Sequence, residues 1–161
     1  MKINLSNTMD AEKIKILLVD DSPIILDGLA FNLLLQDDFS ITGKALSAQE
    51  ALNSISLGMP DILLLDISLQ EESDGIELLK EIRSEYPGIK VLIFSQQKNV
   101  RSIVDSIRNG ANAYLSKDSS VEEIVDAIGI VAKGKGIFLG ETIPAERALP
   151  VITILFCCAR L

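Results

Sequence analysis

The chain of 161 residues contains no histidine and no tryptophan. Without imidazole it has no histidine general base, no histidine metal ligand and no phosphohistidine of its own. Its two cysteines, Cys157 and Cys158, are adjacent near the C-terminus. They build no disulfide framework and fit a reducing compartment. Positive charge is scarce: 15 Lys and Arg stand against 23 Asp and Glu, a net charge of -8. Phosphate backbones need clustered Lys and Arg, so nucleic acid is not expected as a partner of this chain. No apolar run approaches the roughly 18 residues of a membrane span. The polar residues Met1 to Glu12 lack a signal-peptide core. These absences predict a soluble cytoplasmic protein without membrane contact.

Apolar residues make up 48% of the chain but aromatic ones only 4%, so Ile and Leu must carry the core. That suits parallel strands buried on both faces. After a disordered leader over residues 1–12, Lys15 to Val19 reads as a first strand. Ser22-Pro23 then opens a helix carrying Ile25, Leu26, Leu29, Leu33 and Leu34. Phe39 to Ala45 is a second strand. Ser47 caps a helix that stops at Gly58-Met59-Pro60. Asp61 to Ile67 is the third and most apolar strand. A helix from Asp74 to Tyr86 ends at Pro87-Gly88. Val91 to Phe94, a helix from Val100 to Asn109, and Ala113 to Leu115 follow. Ser119 or Ser120 caps a last helix that runs to Gly134.

Five alternating strand–helix units predict an α/β fold with helices on both faces of a parallel sheet. The expected architecture is a flavodoxin-like (βα)5 three-layer sandwich with strand order 2-1-3-4-5. In that order Asp20 and Asp21 leave the first strand beside Asp66, which leaves the third. Ser95 and Lys117 follow the fourth and fifth strands. All five side chains meet at the carboxyl edge of the sheet, where such folds bind ligands.

Clustered carboxylates repel one another and resist burial while charged, a conflict that a divalent cation removes. Magnesium takes carboxylate, carbonyl and water oxygens. Asp21, Asp66 and the backbone carbonyl of Ser68 are the expected ligands, with Asp20 positioning a water of the ion's shell. Asp66 is the expected nucleophile, because a carboxylate can form an acyl phosphate. Lys117 would add a second positive charge, and Ser95 would donate a hydrogen bond to an arriving phosphoryl group. Tyr114, three residues before Lys117, is the expected partner of a Ser95 movement.

Each residue has an ordinary explanation when taken singly. Asp-Asp-Ser-Pro is helix-start chemistry. Asp66 is a strand-ending polar residue, Lys117 a surface lysine and Tyr114 a core-edge aromatic with a wet hydroxyl. The combined placement carries the argument, since each type stands at the required end of the required strand.

The chain resembles the receiver domain of two-component response regulators, and within it the NarL/LuxR-type subfamily. The similar segments are Leu-Leu-Val-Asp-Asp-Ser-Pro (17–23), Pro-Asp-Ile-Leu-Leu-Leu-Asp (60–66) and Asp-Gly-Ile-Glu-Leu-Leu (74–79). Tyr-Pro-Gly-Ile-Lys-Val-Leu (86–92), Gly-Ala-Asn-Ala-Tyr-Leu-Ser-Lys-Asp (110–118) and Val-Ala-Lys-Gly-Lys-Gly-Ile-Phe-Leu (131–139) continue the pattern. The resemblance implies a phosphoacceptor at Asp66, metal ligation by Asp20, Asp21 and Asp66, and switch roles for Ser95 and Tyr114. It implies phosphate pairing by Lys117 and control of phosphoryl lifetime by Ser68 and Gln97. The implied donor is a sensor histidine kinase or phosphotransfer protein. The implied output surface is the fourth helix, fifth strand and fifth helix, with a homodimer as a second kind of partner. Such a chain is not a turnover enzyme; it catalyses only its own phosphorylation and dephosphorylation.

Two departures stand out. The loop after Asp66 is one residue longer than the family pattern and carries Glu71 and Glu72. The receiver is expected over 13–141, leaving a short apolar tail at 142–161 with no recognition-helix pattern. A truncated or frame-altered transcriptional regulator, or a receiver produced alone, is expected from that tail. Other functions fit less well. A degenerate receiver that only binds partners would not need the complete site. A haloacid-dehalogenase-type phosphohydrolase wants a second acid two residues after its nucleophile, where this chain has Ser68. A flavodoxin would not place Asp20-Asp21 against a flavin phosphate.

Overall fold

The computed structural model describes residues 12–69, 74–97, 99–138 and 141–144. Chain order is β1 (Ile14–Val19), α1 (Pro23–Leu34), β2 (Phe39–Ala45), α2 (Ala48–Leu57), β3 (Ile62–Leu65), α3 (Asp74–Glu85), β4 (Lys90–Ser95), α4 (Val100–Arg108), β5 (Ala113–Ser116) and α5 (Val121–Ala132), then β6 (Lys135–Phe138) and β7 (Glu141–Pro144). The sheet order is β2-β1-β3-β4-β5-β6-β7. Its first five strands are parallel and follow the expected 2-1-3-4-5 order of a flavodoxin-like fold.

Side chains alternate across the strands, so the apolar runs feed two cores. Leu17, Val19, Leu63, Leu65, Val91 and Ile93 face one way, onto residues of α2, α3 and α4. Ile16, Leu18, Ile62, Leu64, Leu92 and Phe94 face the other way, onto α1 and α5. Each buried Leu or Ile contributes about 1.5–3 kcal/mol relative to exposure. Strand β3, the middle one of the first five, is paired on both sides and has all four residues buried. The position of β3 brings the residue after it, Asp66, between the ends of β1 and β4.

The helix starts follow local chemistry. Ser47, Asn99 and Ser120 accept backbone N–H groups as caps, and Ser120 forms a reciprocal capping box with Glu123. Ser22 differs from expectation, because its side chain makes no capping bond. Pro23 shapes that start, while the Ser22 N–H is donated to Asp20 Oδ1 at 2.9 Å. Gly110 follows α4 with φ +93°, a conformation that favours glycine.

Three further differences concern burial and the C-terminal part. Leu34, expected on the buried face of α1, is exposed, as are Ile24, Phe31 and Leu35. Apolar side chains lie on the outer face of the helix as well as the inner one, so spacing alone did not select its inner face. Among the described residues the five expected parallel strands are joined by two more, so that the sheet has seven. A short apolar run after Gly134, itself at φ +79°, pairs with β5 as β6 and turns back into β7. Thus β5 is not an edge strand, and residues 142–144, expected in the tail, extend the sheet. The leader up to residue 11, Glu71 and Glu72, and the tail from residue 145 lie outside the described residues. No described helix is long and apolar enough to cross a membrane.

Candidate functional site

Four neighbouring parallel strands, β1, β3, β4 and β5, deliver the site. The Asp20 N–H donates to the Ala45 carbonyl at 3.1 Å, and the Asp66 N–H donates to the Val19 carbonyl at 2.9 Å. These bonds continue the ladder one residue past β1 and β3, which holds both aspartates side by side. Beyond each, the chain turns in the same manner. The Ser22 N–H donates to Asp20 Oδ1 and the Ser68 N–H donates to Asp66 Oδ1, each at 2.9 Å. Such Asx turns orient the carboxylates and leave Oδ2 of each directed elsewhere.

Both Oδ2 atoms meet one cation. Lys117 Nζ lies 2.8 Å from Asp66 Oδ2 and 2.5 Å from Asp20 Oδ2. The contact to Asp66 is a hydrogen bond, whereas Asp20 Oδ2 is buried without a well-angled donor and is held as an ion pair. Asp20 and Asp66 are buried, and Asp21 is exposed at the rim. Burial pushes the Asp20 carboxyl above the ordinary carboxylate range, against the opposing pull of Lys117 and the Ser22 N–H. Burial alone would lower the Lys117 ammonium, but its bonds to Asp20 and Asp66 and their charges outweigh this and raise it.

Ligand oxygens of Asp20, Asp21 and Asp66 can all lie within 4.8 Å of one another. Hard oxygen donors at that spacing, with a donor-poor buried oxygen on Asp20, fit a small divalent cation. An open hollow beside them is lined by Asp21, Asp66, Ser68, Gln97 and Lys117, among others.

Ser95 ends β4 and is fully buried, its Oγ accepting the Gln97 N–H at 3.3 Å. Tyr114 lies inward, 6% exposed, and its hydroxyl donates to the Gln97 carbonyl at 2.6 Å. Burial raises its phenol above the ordinary value. The expected residues Asp20, Asp21, Asp66, Ser68, Ser95, Tyr114 and Lys117 are therefore all placed around one edge.

Two contributors were not legible as site residues. A Cβ on Gly75 would lie 2.4 Å from Ile67 Cα and 2.7 Å from the Asp66 carbonyl oxygen. The start of α3 thus packs on the backbone next to Asp66, and only glycine allows it. The Asp-Gly pair at 74–75 was the available signal. Ser102, in the first turn of α4, hydrogen-bonds Gln97, and nothing in its sequence context marks it.

The fold and this edge define a class: flavodoxin-like α/β proteins with an acidic, lysine-bridged pocket at the carboxyl ends of the strands. The family model described as "Response regulator receiver domain" matches residues 16–129. Among curated relatives, the uncharacterized transcriptional regulatory protein YxjL of Bacillus subtilis is 33% identical over 141 residues, 88% of this chain and 63% of that protein. The response regulator protein VraR of Staphylococcus aureus is 30% identical over 134 residues, 83% of this chain and 64% of that protein. Among solved structures, the receiver domain of the putative response regulator NarL from Mycobacterium tuberculosis is similar at a TM-score of 0.72 and 31% identity. That match covers 76% of this chain and 98% of the other. The chain belongs to the receiver domain family of two-component response regulators, in its NarL/LuxR-type branch. It spans less than two thirds of the length of the relatives YxjL and VraR.

Proposed function

We propose that this chain is a phosphorylation switch in which Asp66 accepts a phosphoryl group from a sensor histidine kinase or phosphotransfer protein. The observation that carries the proposal is the convergence of Asp20, Asp21 and Asp66 on one another, with Lys117 Nζ 2.8 Å from Asp66 Oδ2. A carboxylate oxygen of Asp66 forms the new P–O bond as the P–N bond of the donor phosphohistidine breaks. The electron pair leaves on the imidazole nitrogen, which takes up a proton. Asp20, Asp21, Asp66 and the Ser68 backbone carbonyl would hold magnesium, which when bound supplies positive charge against the phosphoryl oxygens.

The chain's own residues do the rest. The Ser68 N–H fixes the Asp66 carboxylate by holding Oδ1. Lys117 exchanges a carboxylate contact for a phosphoryl oxygen, keeping its charge at the site. Ser95 supplies a hydroxyl that rotates to the modified group, and Tyr114 borders it. The chemistry is acceptance and release of one phosphoryl group, not turnover of a metabolite. A net charge of -8 supports a role upstream of nucleic-acid contact, in a cytoplasmic regulator of transcription.

Intact mass after incubation with acetyl phosphate and magnesium tests this. The expected result is a gain of one phosphoryl mass, about 80 Da for the modification. Asp66→Asn should show none. A folded protein that gains no mass, or gains it equally in Asp66→Asn, overturns the assignment.

A further inference from the structure

Helix α1 carries apolar side chains on both sides. Leu26, Ala30 and Leu33 are buried in the core. On the outer side Ile24 is 84% exposed and Phe31 67%, and Leu34 and the following Leu35 are exposed as well. Ile24, Gly28, Phe31 and Leu35 recur at intervals of three and four, so they form one stripe along the helix. A Cβ on Gly28 would meet nothing within 4 Å, and Gly28 also lines a groove of about 200 Å³ between α1 and α5. Ile25, Leu29 and Leu33 line it from α1, Val121 and Ile124 from α5, and Phe94 from the sheet. Stripe and groove thus form one apolar face, and no described element covers it. Contiguous apolar surface of this kind marks a place where something docks.

The chain carries a segment of matching chemistry. After Pro144 come 17 residues, in which Val151-Ile152-Thr153-Ile154-Leu155-Phe156 holds five large apolar side chains in six positions. Exposed, such a run is an aggregation hazard. With Arg147, Arg160 and one acid, Glu146, the 17 residues are net positive on a chain of net charge -8.

The segment starts close to the groove. Strand β7 runs antiparallel to β6 and brings Pro144 opposite Lys135, three residues past the end of α5. Helices α1 and α5 pack on the same face of the sheet. The seven residues from Pro144 to Val151 span up to about 25 Å, and packed helices stand about 8–10 Å apart, so Val151 reaches the groove. Extended, residues 151–156 cover about 20 Å, close to the length of the 12-residue helix α5 at about 18 Å.

We propose that residues 151–156 dock in the groove between α1 and α5 and cover the exposed stripe of α1, as an intramolecular ligand of this domain. A tethered segment meets the groove at an effective concentration in the mM range, which favours it over a second copy. Ile25 and Lys117 line both this groove and the hollow beside Asp66, so the docked segment borders that site.

The two cysteines supply the test. Cys157 and Cys158 directly follow Phe156 and are the only thiols of the chain. Labelling with N-ethylmaleimide, followed by intact mass over time, compares the full chain with a synthetic peptide of residues 145–161. The parent should label at least about tenfold slower than the peptide, at a rate independent of protein concentration. Gly28→Phe fills the groove, and Phe31→Glu puts a charge on the stripe; both positions are exposed, so the core is left intact. Each variant should label about tenfold faster than the parent, the shift expected from losing the burial of one large apolar side chain. Leu57→Glu, at an exposed apolar residue of α2, should label like the parent. A parent that labels as fast as the peptide overturns the docking. Slow labelling that neither α1 variant changes puts the segment elsewhere and overturns the groove. Protection that grows with protein concentration gives this face to a second copy and overturns the intramolecular occupant.

Discussion

Lys117 and Asp66 are 51 positions apart in the chain and 2.8 Å apart across the sheet edge. The same ammonium also pairs with Asp20, so one cation answers two buried carboxylates. That arrangement keeps an acidic pocket folded, and it keeps a positive charge beside the residue that would receive a phosphoryl group.

Lys117→Met should expose the cost of the acidic pair. Removing one partner of a buried ion pair costs about 3 kcal/mol. Urea unfolding in chelator should show a loss near that size. Magnesium should return much of it, since a cation that binds only the folded state stabilises by mass action. A variant as stable as the parent in chelator would mean that the pair carries no net energy.

Asp21 separates metal affinity from stability. It is exposed, so Asp21→Asn should change stability in chelator by no more than about 0.5 kcal/mol. It should weaken magnesium by about tenfold or more, because the ion depends on few carboxylates. Magnesium titration followed by thermal shift measures both quantities. Equal magnesium responses in variant and parent would remove Asp21 from the ligand set.

Gly75→Ala should be damaging despite its modest chemistry. A Cβ 2.4 Å from the Ile67 backbone forces α3 away from the segment following Asp66. Overpacking of this kind costs about 1–3 kcal/mol. Chemical denaturation should register that loss, and phosphorylation by acetyl phosphate should slow in parallel. Gly129→Ala, where nothing lies within 4 Å of a Cβ, is the control and should be close to neutral.

Tyr114 sets an alkaline limit. Burial raises its phenol above the ordinary 10.0, so the folded state holds this proton more firmly than the unfolded chain does. Its contribution to stability is full below about pH 10, the unfolded value. It is lost as pH rises through the higher folded value. Tyr114→Phe should flatten the fall in stability over that window, measured by denaturant unfolding at increasing pH. An unchanged alkaline slope would assign the fall to other groups.

The elements that carry the site were legible because their signals are local. Ile16 to Val19, Ile62 to Leu65 and Val91 to Phe94 are continuous apolar runs, and each ends in a polar residue of the site. Burial on both faces demands such runs. Parallel alternation with helices then allows few strand orders. Capping serines and glycine stops marked most helix ends. The inner face of α1 was not legible, because a helix with Ile24, Phe31 and Leu34 on its outer side offers little contrast. Strands β6 and β7 were missed because short runs gain their identity from the strand they pair with.

Residue types and spacing by themselves determined that Asp20, Asp21, Asp66, Ser95 and Lys117 would meet at one edge. Strand ends at a common edge follow from connectivity, and connectivity is written along the chain. Tertiary structure alone decided that Lys117 bridges both buried aspartates, that Gly75 lies against the backbone beside Asp66, and that Gln97 joins Ser68 to Ser102. Each is a contact between side chains or backbones from separate elements. Distances of this kind depend on how helices settle against the sheet, and no local pattern encodes them.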